Sequence, residues 1–106
     1  MALICKQITV HVRPGHADAY LAAQEIWNHE TARCPGYAGC FVGKAQEDPN
    51  LVHVHVYWRS RTDLDRFMAE QHDRIAALAR ADEHYERIEV RVLEGDLGPE
   101  SAAHGL

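Results

Sequence analysis

Two hydrophobic periods alternate along this 106-residue chain, and their order limits the possible folds more than any other feature of the sequence. Side chains repeat with a period of two, which indicates strands, over residues 4–12, 37–44, 51–58 and 88–93. Residues 16–33 and 62–81 repeat at helical spacing, and Thr62 is the expected N-cap of the second helix. With right-handed crossovers, the order β-α-β-β-α-β predicts an α+β, ferredoxin-like fold with a four-stranded antiparallel sheet in the order 4-1-3-2.

The two faces of the predicted sheet differ in character. One face of every strand is apolar and is expected to pack against both helices, whereas the other carries His11, His53, His55 and Cys40. A domain of this length buries only about two-thirds of its unfolded surface. A face of mixed polar and aromatic character suits a second copy of the sheet, so we expect a homodimer.

Composition excludes several classes of partner and compartment. The formal net charge is −5 without a basic cluster, which argues against nucleic acid as a partner. No apolar run approaches the ~20 residues of a membrane span, and residues 1–7 do not resemble a signal peptide, so a cytoplasmic protein with free thiols is expected. The domain is expected to cover residues 1–94, followed by a loose tail over residues 95–106.

Three groups of residues carry a resemblance to a known family. They are residues 12–15 (Val-Arg-Pro-Gly), residues 35–39 (Pro-Gly-Tyr-Ala-Gly), and residues 58–60 (Trp-Arg-Ser) followed by Leu64, Phe67 and Met68. Over residues 4–93 the chain resembles the antibiotic-biosynthesis-monooxygenase (ABM) superfamily of dimeric α/β barrels, which includes small haem-degrading oxygenases. Residues 23–27 and 72–75 resemble a less characterised branch of that superfamily.

This resemblance implies a homodimer in which two sheets close a barrel and each subunit has a pocket between its sheet and helices. Trp58 matches a Trp that members oxidising aromatic polyketides use, whereas Val54 stands where those members have an Asn. Ile8 and Ala77 stand where haem-degrading members have an Asn and the axial His, so haem is not expected.

The first candidate site is the pocket on the helix side of the sheet. Its predicted catalytic residues are His72 and Trp58, and its predicted ligand-binding residues are Tyr20, Trp27, Phe67 and Met68. Indole and imidazole groups form an apolar slot with a few polar handles, and a His can act as a general base near neutral pH. Cofactor-free oxygenation of an acidic phenol needs a base to form the anion and a dry cavity to hold it near O2. The alternative is that these side chains only fill the core.

The second candidate site is a metal site on the opposite face of the sheet. His53 and His55 are two residues apart on one strand, and a hairpin turn at residues 48–50 (Asp-Pro-Asn) would bring Cys40 close to His55. His11 on the first strand completes a set suited to Zn²⁺ or copper. The alternative is a hydrogen-bonded dimer interface, which would loosen below about pH 6 as imidazoles gain charge.

The leading functional hypothesis is therefore an ABM-like oxygenase acting on an aromatic or hydrophobic metabolite. A nucleotide cofactor is not expected, because the sequence has neither a Gly-x-Gly-x-x-Gly motif nor a phosphate loop. The alternatives are a metal-binding protein that uses the histidines and a non-catalytic ligand-binding module.

Overall fold

A computed structural model of the protein describes residues 2–99. Along the chain its elements are β1 (Leu3–Val12), α1 (Ala17–Thr31), β2 (Tyr37–Ala45), β3 (Asp48–Trp58), α2 (Arg61–Glu70), α3 (His72–Ala79), a 3-10 helix (Ala81–His84) and β4 (Tyr85–Gly95). Residues 100–106 of the predicted tail lie outside the described residues. None of the helices within residues 2–99 is long and apolar enough to cross a membrane.

The sheet confirms the predicted fold class and strand order. Its order is β2-β3-β1-β4, which is the predicted order read from the other edge, and all neighbouring strands are antiparallel. The two halves of the chain thus interleave, because β1 and β3 lie side by side at the centre of the sheet. This arrangement brings the first strand between the third and the fourth, so residues distant in sequence share one face.

The second predicted helix is broken into α2 and α3. Its N-cap is Ser60 rather than Thr62, since the Ser60 hydroxyl accepts a hydrogen bond from the Asp63 N–H at 3.1 Å and donates one to the Asp63 carboxylate at 2.9 Å. At Gln71 the backbone leaves the helical region, with φ −122° and ψ −30°, and α3 begins at His72. The break places His72 in the first turn of a new helix.

A bulge in β2 reverses the face that the sequence analysis predicted for Cys40. Tyr37 pairs with Trp58 and Gly39 with Tyr57, so one residue between them has no partner, and Gly39 adopts φ +128°. Cys40 consequently pairs with Val56 and lies on the helix side of the sheet. The prediction that Cys40 lies beside His55 is therefore wrong.

The neighbour of His55 on β2 is Phe41, and their ring centroids are 6.2 Å apart. The hairpin turn also differs from the prediction, because it consists of Gln46 and Glu47, while Asp48 already belongs to β3. The predicted turn residues instead begin the strand, where the Asp48 carboxylate accepts a hydrogen bond from the Asn50 N–H at 2.9 Å.

The helices cover the centre of the sheet better than they cover β4. Among residues 2–99, two clusters of buried side chains form the core, and Trp27 and Val56 pack against both. On β4, Ile88 and Val90 share the helix-side face with Val10 and Ile8 of β1, yet both are exposed. The helix layer therefore leaves part of the apolar sheet face open beside β1 and β4.

Candidate functional site

A cavity of about 810 Å³ lies between the sheet and the helices. Its volume falls within the range of small-molecule sites, about 300–1,000 Å³. The structure places every residue of the predicted helix-side pocket on the wall of this cavity: Tyr20, Trp27, Trp58, Phe67, Met68 and His72. Ile88 and Val90 extend the wall along β4, so the cavity is continuous with the uncovered part of the sheet.

Trp58 ends β3 and is the largest fully buried side chain. Its ring packs against Phe67 at 4.8 Å between centroids and edge-on to Tyr37 at 6.3 Å. Its indole Nε1–H is buried and has no hydrogen-bond partner among the described residues. A buried donor without an acceptor costs about 1–3 kcal/mol, and this donor belongs to a side chain that lines the cavity.

His72 lies where α2 gives way to α3, at the edge of the same cavity. Its ring contacts Trp27, with centroids 5.2 Å apart, and stands edge-on to Phe67 at 6.2 Å. Nδ1 is 3.2 Å from the Asp73 carboxylate, which is fully exposed. When Nδ1–H donates to that carboxylate, Nε2 is the basic nitrogen, which is the arrangement that a general base requires.

Polar side chains on α1 form a hydrogen-bonded row that the sequence analysis did not single out. The Tyr20 hydroxyl donates to Gln24 Oε1 at 2.7 Å, and Gln24 Nε2 donates to Asn28 Oδ1 at 2.9 Å. Burial, reinforced by Tyr85, raises the pKa of the Tyr20 phenol, so this hydroxyl stays protonated and acts as a donor. The i, i+4 spacing of the three residues is the signal that could have revealed the row.

Lys6 is the site residue with the clearest signal that the sequence analysis missed. It lies between Ile4 and Ile8 on the apolar face of β1, and the side chain lines the cavity with 9% exposure. Its Nζ is 3.2 Å from Met68 Sδ, and burial lowers the pKa of its amine. The signal that could have revealed Lys6 is a charged residue at an apolar position of a strand with a period of two.

Three of the four predicted metal ligands share the sheet face that points away from the helices. His11, His53 and His55 are half-buried there, while Cys40 lies on the opposite face. Among residues 2–99, no three His, Cys, Asp or Glu side chains come together in an arrangement suited to a metal ion. His11 Nε2 instead lies 2.5 Å from Glu89 Oε1, and this hydrogen bond lowers the pKa of the Glu89 carboxyl.

A known family model matches most of this chain. The model of a domain of unknown function, DUF4937, matches residues 4–93, which span all the strands and helices that form the cavity. The chain belongs to the DUF4937 family. No curated protein is significantly similar to this DUF4937 domain in sequence.

Solved structures share the fold of this DUF4937 domain at low sequence identity. A candidate antibiotic biosynthesis monooxygenase from Bordetella bronchiseptica is 18% identical with a TM-score of 0.76, covering 92% of this chain and 100% of that one. A conserved protein from Methanosarcina mazei Go1 is 18% identical with a TM-score of 0.74, covering 92% and 95%.

A candidate antibiotic biosynthesis monooxygenase from Nitrosomonas europaea is 17% identical with a TM-score of 0.73, covering 90% of this chain and 99% of that one. At such identities the likeness shows the fold alone. It confirms that the DUF4937 domain has the ABM-like fold expected from the sequence.

Proposed function

We propose that this DUF4937 domain is an ABM-like oxygenase that acts on an aromatic or otherwise hydrophobic small molecule without a nucleotide cofactor. One observation carries the proposal: a mostly apolar cavity of about 810 Å³ is lined by Trp58, whose buried indole N–H has no hydrogen-bond partner within residues 2–99. Aromatic walls suit a flat ligand, and an orphaned donor suits an oxygen atom on it. His72 at the edge of the cavity supplies a base.

In the proposed reaction the substrate itself supplies the electrons. Nε2 of His72 takes the proton of an acidic phenol, which leaves an electron-rich anion within the cavity. This anion reacts with O2. One oxygen atom of O2 bonds to a ring carbon and becomes the new carbonyl oxygen of the product, while the other oxygen atom leaves as water. A phenol thereby loses two hydrogen atoms and becomes a quinone, so atoms and electrons balance without a further reductant. The Trp58 N–H donates to the substrate oxygen throughout.

A homodimer is part of the same proposal. On the sheet face away from the helices, Phe41 is 55% exposed and Leu93 is also exposed, beside half-buried His53 and His55. Burial of such side chains against a second copy of the sheet would remove apolar surface from water. The ABM-like fold supports this reading, because dimeric barrels of that superfamily bring these sheet faces together.

The test is turnover of phenols and naphthols in the presence of ¹⁸O2. Turnover is measured as oxygen uptake, and the incorporation of label is measured from the mass of the product. We expect one labelled oxygen atom in the quinone. His72→Ala should lower turnover about 10²-fold or more, as loss of a general base does. Trp58→Phe keeps an aromatic ring but removes the N–H, and should lower turnover about tenfold or more.

His29→Ala is the matched control, because His29 is an exposed residue of α1 that does not line the cavity. It should turn over like the wild type. Activity of His72→Ala and Trp58→Phe at the wild-type level would contradict the proposal, as would a requirement for added flavin or metal. Tight binding of phenols without oxygen uptake would instead favour the non-catalytic ligand-binding module.

A further inference from the structure

Lys6 is a buried charge that the proposed roles of His72 and Trp58 leave unused. It lies at the centre of the sheet on the helix side, opposite Val56 of β3 and Val92 of β4. Its side chain is only 9% exposed. Lysine is almost never buried to this degree unless it is paired, because removing an ammonium group from water is costly.

The surroundings of Lys6 do not neutralise this charge. Within residues 2–99 Lys6 forms no ion pair, and its hydrogen-bond partner there is Met68 Sδ at 3.2 Å. A thioether is a weak acceptor, whereas an ammonium group has three donors. Asp82 and Glu83 also line the cavity, but both are exposed and belong to the 3-10 helix at its rim. The ammonium therefore lacks an anion.

Trp58 supplies a second, independent observation at the same place. Lys6 pairs with Val56, so Trp58, two residues further along β3, is its diagonal neighbour on the same face. Such neighbours are about 7–8 Å apart, a distance that long side chains can span with one ligand group between them. Lys6 and Trp58, on adjacent strands, thus both line the cavity, and within residues 2–99 neither donor has a strong acceptor as its partner.

We propose that Lys6 and Trp58 together bind the ionised oxygen of an acidic hydroxyl group on a flat, hydrophobic ligand. The inference rests on the proposed function, because it specifies which molecules enter that cavity. A charge-assisted hydrogen bond from Nζ holds the oxygen, and the positive charge favours the anion over the neutral hydroxyl. Lys6 is thereby a specificity-determining residue: it selects acidic phenols and enols over their ethers and eases the removal of their proton.

The test compares 4-nitro-1-naphthol, which ionises readily and changes colour when it does, with its methyl ether, which cannot ionise. Binding of each probe is measured by titration with the wild-type protein and with Lys6→Met, a substitution of similar length without charge. The wild type should bind the naphthol as its anion and in preference to the ether. Lys6→Met should lose about 10- to 100-fold in affinity for the naphthol and little for the ether.

Two further variants separate charge from structure. The chain has two lysines, Lys6 and Lys44, and exposed Lys44 is the matched control, since Lys44→Met should leave both affinities unchanged. Lys6→Arg keeps the charge and should retain a preference for the naphthol. The proposal is overturned if the wild type does not bind the naphthol anion. It is also overturned if Lys6→Met weakens both probes equally, which indicates a structural role, or weakens neither.

Measuring oxygen uptake alongside affinity distinguishes a failure of the proposed role of Lys6 from a failure of the proposed oxygenase activity. Anion binding that depends on Lys6 without any oxygen uptake would support the role of Lys6 and contradict the oxygenase. Turnover that is unchanged in Lys6→Met, with unchanged affinity for the naphthol, would support the oxygenase and contradict the role of Lys6.

Discussion

The two faces of the sheet differ in how their polar side chains are hydrogen-bonded and exposed to water. On the helix side, the Lys6 ammonium has a thioether as its partner and, within the described part of the chain, the Trp58 indole N–H has none, although both are buried. On the opposite face, His11 is hydrogen-bonded to Glu89, and the side chains of His53 and His55 remain partly exposed.

This difference indicates where function is expected. A polar group that reaches water or a charged neighbour costs the fold little, so the histidines need no special explanation. A buried donor without a good acceptor destabilises the native state, and such a feature is typical of a site that a ligand completes. If this contrast holds, substitutions on the helix-side face should change stability and ligand binding, whereas substitutions on the opposite face should change association between copies of the chain.

The largest effect is expected from Ile75→Ala on the helix side. Ile75 is fully buried in the cluster around Trp58 and does not line the cavity, so its truncation should lower the free energy of unfolding by about 2–5 kcal/mol. Phe41→Ala on the opposite face removes a larger but exposed side chain, and in a monomeric state it should cost less than about 1 kcal/mol. Urea denaturation of both variants measures the difference, and equal losses would contradict the contrast between the faces.

Lys6→Met should increase stability, in contrast to most core substitutions. Replacing a buried charge that has no ion pair within residues 2–99 by an apolar side chain of similar length should raise the free energy of unfolding by about 1–3 kcal/mol at neutral pH. Because burial lowers the pKa of Lys6 in the folded state, the penalty is present at low pH and is relieved as pH rises through that lowered pKa. The advantage of Lys6→Met over the wild type should therefore shrink towards alkaline pH in urea titrations. A destabilised Lys6→Met would show that the amine is needed by the fold itself.

On the opposite face, a double substitution of His53 and His55 by Ala should act on the proposed dimer and not on the fold. Imidazoles in general gain charge below about pH 6, so the proposed dimer should dissociate more readily there. The double variant should lose most of this pH dependence, which sedimentation velocity at two pH values can measure. Elemental analysis of the same samples tests the alternative. Zn or Cu that is bound to the wild type and absent from the double variant would contradict the interface role of these histidines and favour the metal-binding alternative.

Much of the fold could be predicted from hydrophobic period alone. The alternation of Val52, Val54 and Trp58 against His53 and His55 sets which face of β3 is buried, and the structure bears this out. The bulge at Gly39 could not be predicted in this way, because one unpaired residue reverses the face of everything after it. The error at Cys40 follows from that single residue.

The candidate site was predictable in part. Aromatic residues at helical spacing placed Tyr20 and Trp27 on the cavity wall, and the strand end placed Trp58 there. The hydrogen-bonding state of the Trp58 N–H depends on what surrounds it in three dimensions, and no sequence pattern records that. Lys6 was visible as a charge at an apolar position, but that its partner among the described residues is a thioether and not a carboxylate depends on how all four strands assemble.

The smallest effect is expected from the pair formed by His11 and Glu89. Their hydrogen bond lowers the pKa of Glu89 below its ordinary value of 4.5, so the unfolded chain binds the proton more readily than the folded one. The pair should therefore stabilise the fold above about pH 4.5 and lose this contribution as the pH falls further. Glu89→Gln should lower stability slightly at neutral pH and converge with the wild type in acid, whereas Glu86→Gln, a change at an exposed residue of the same strand, should do neither. A stability difference that grew on acidification would contradict this assignment and would point instead to a role of Glu89 in the proposed dimer interface.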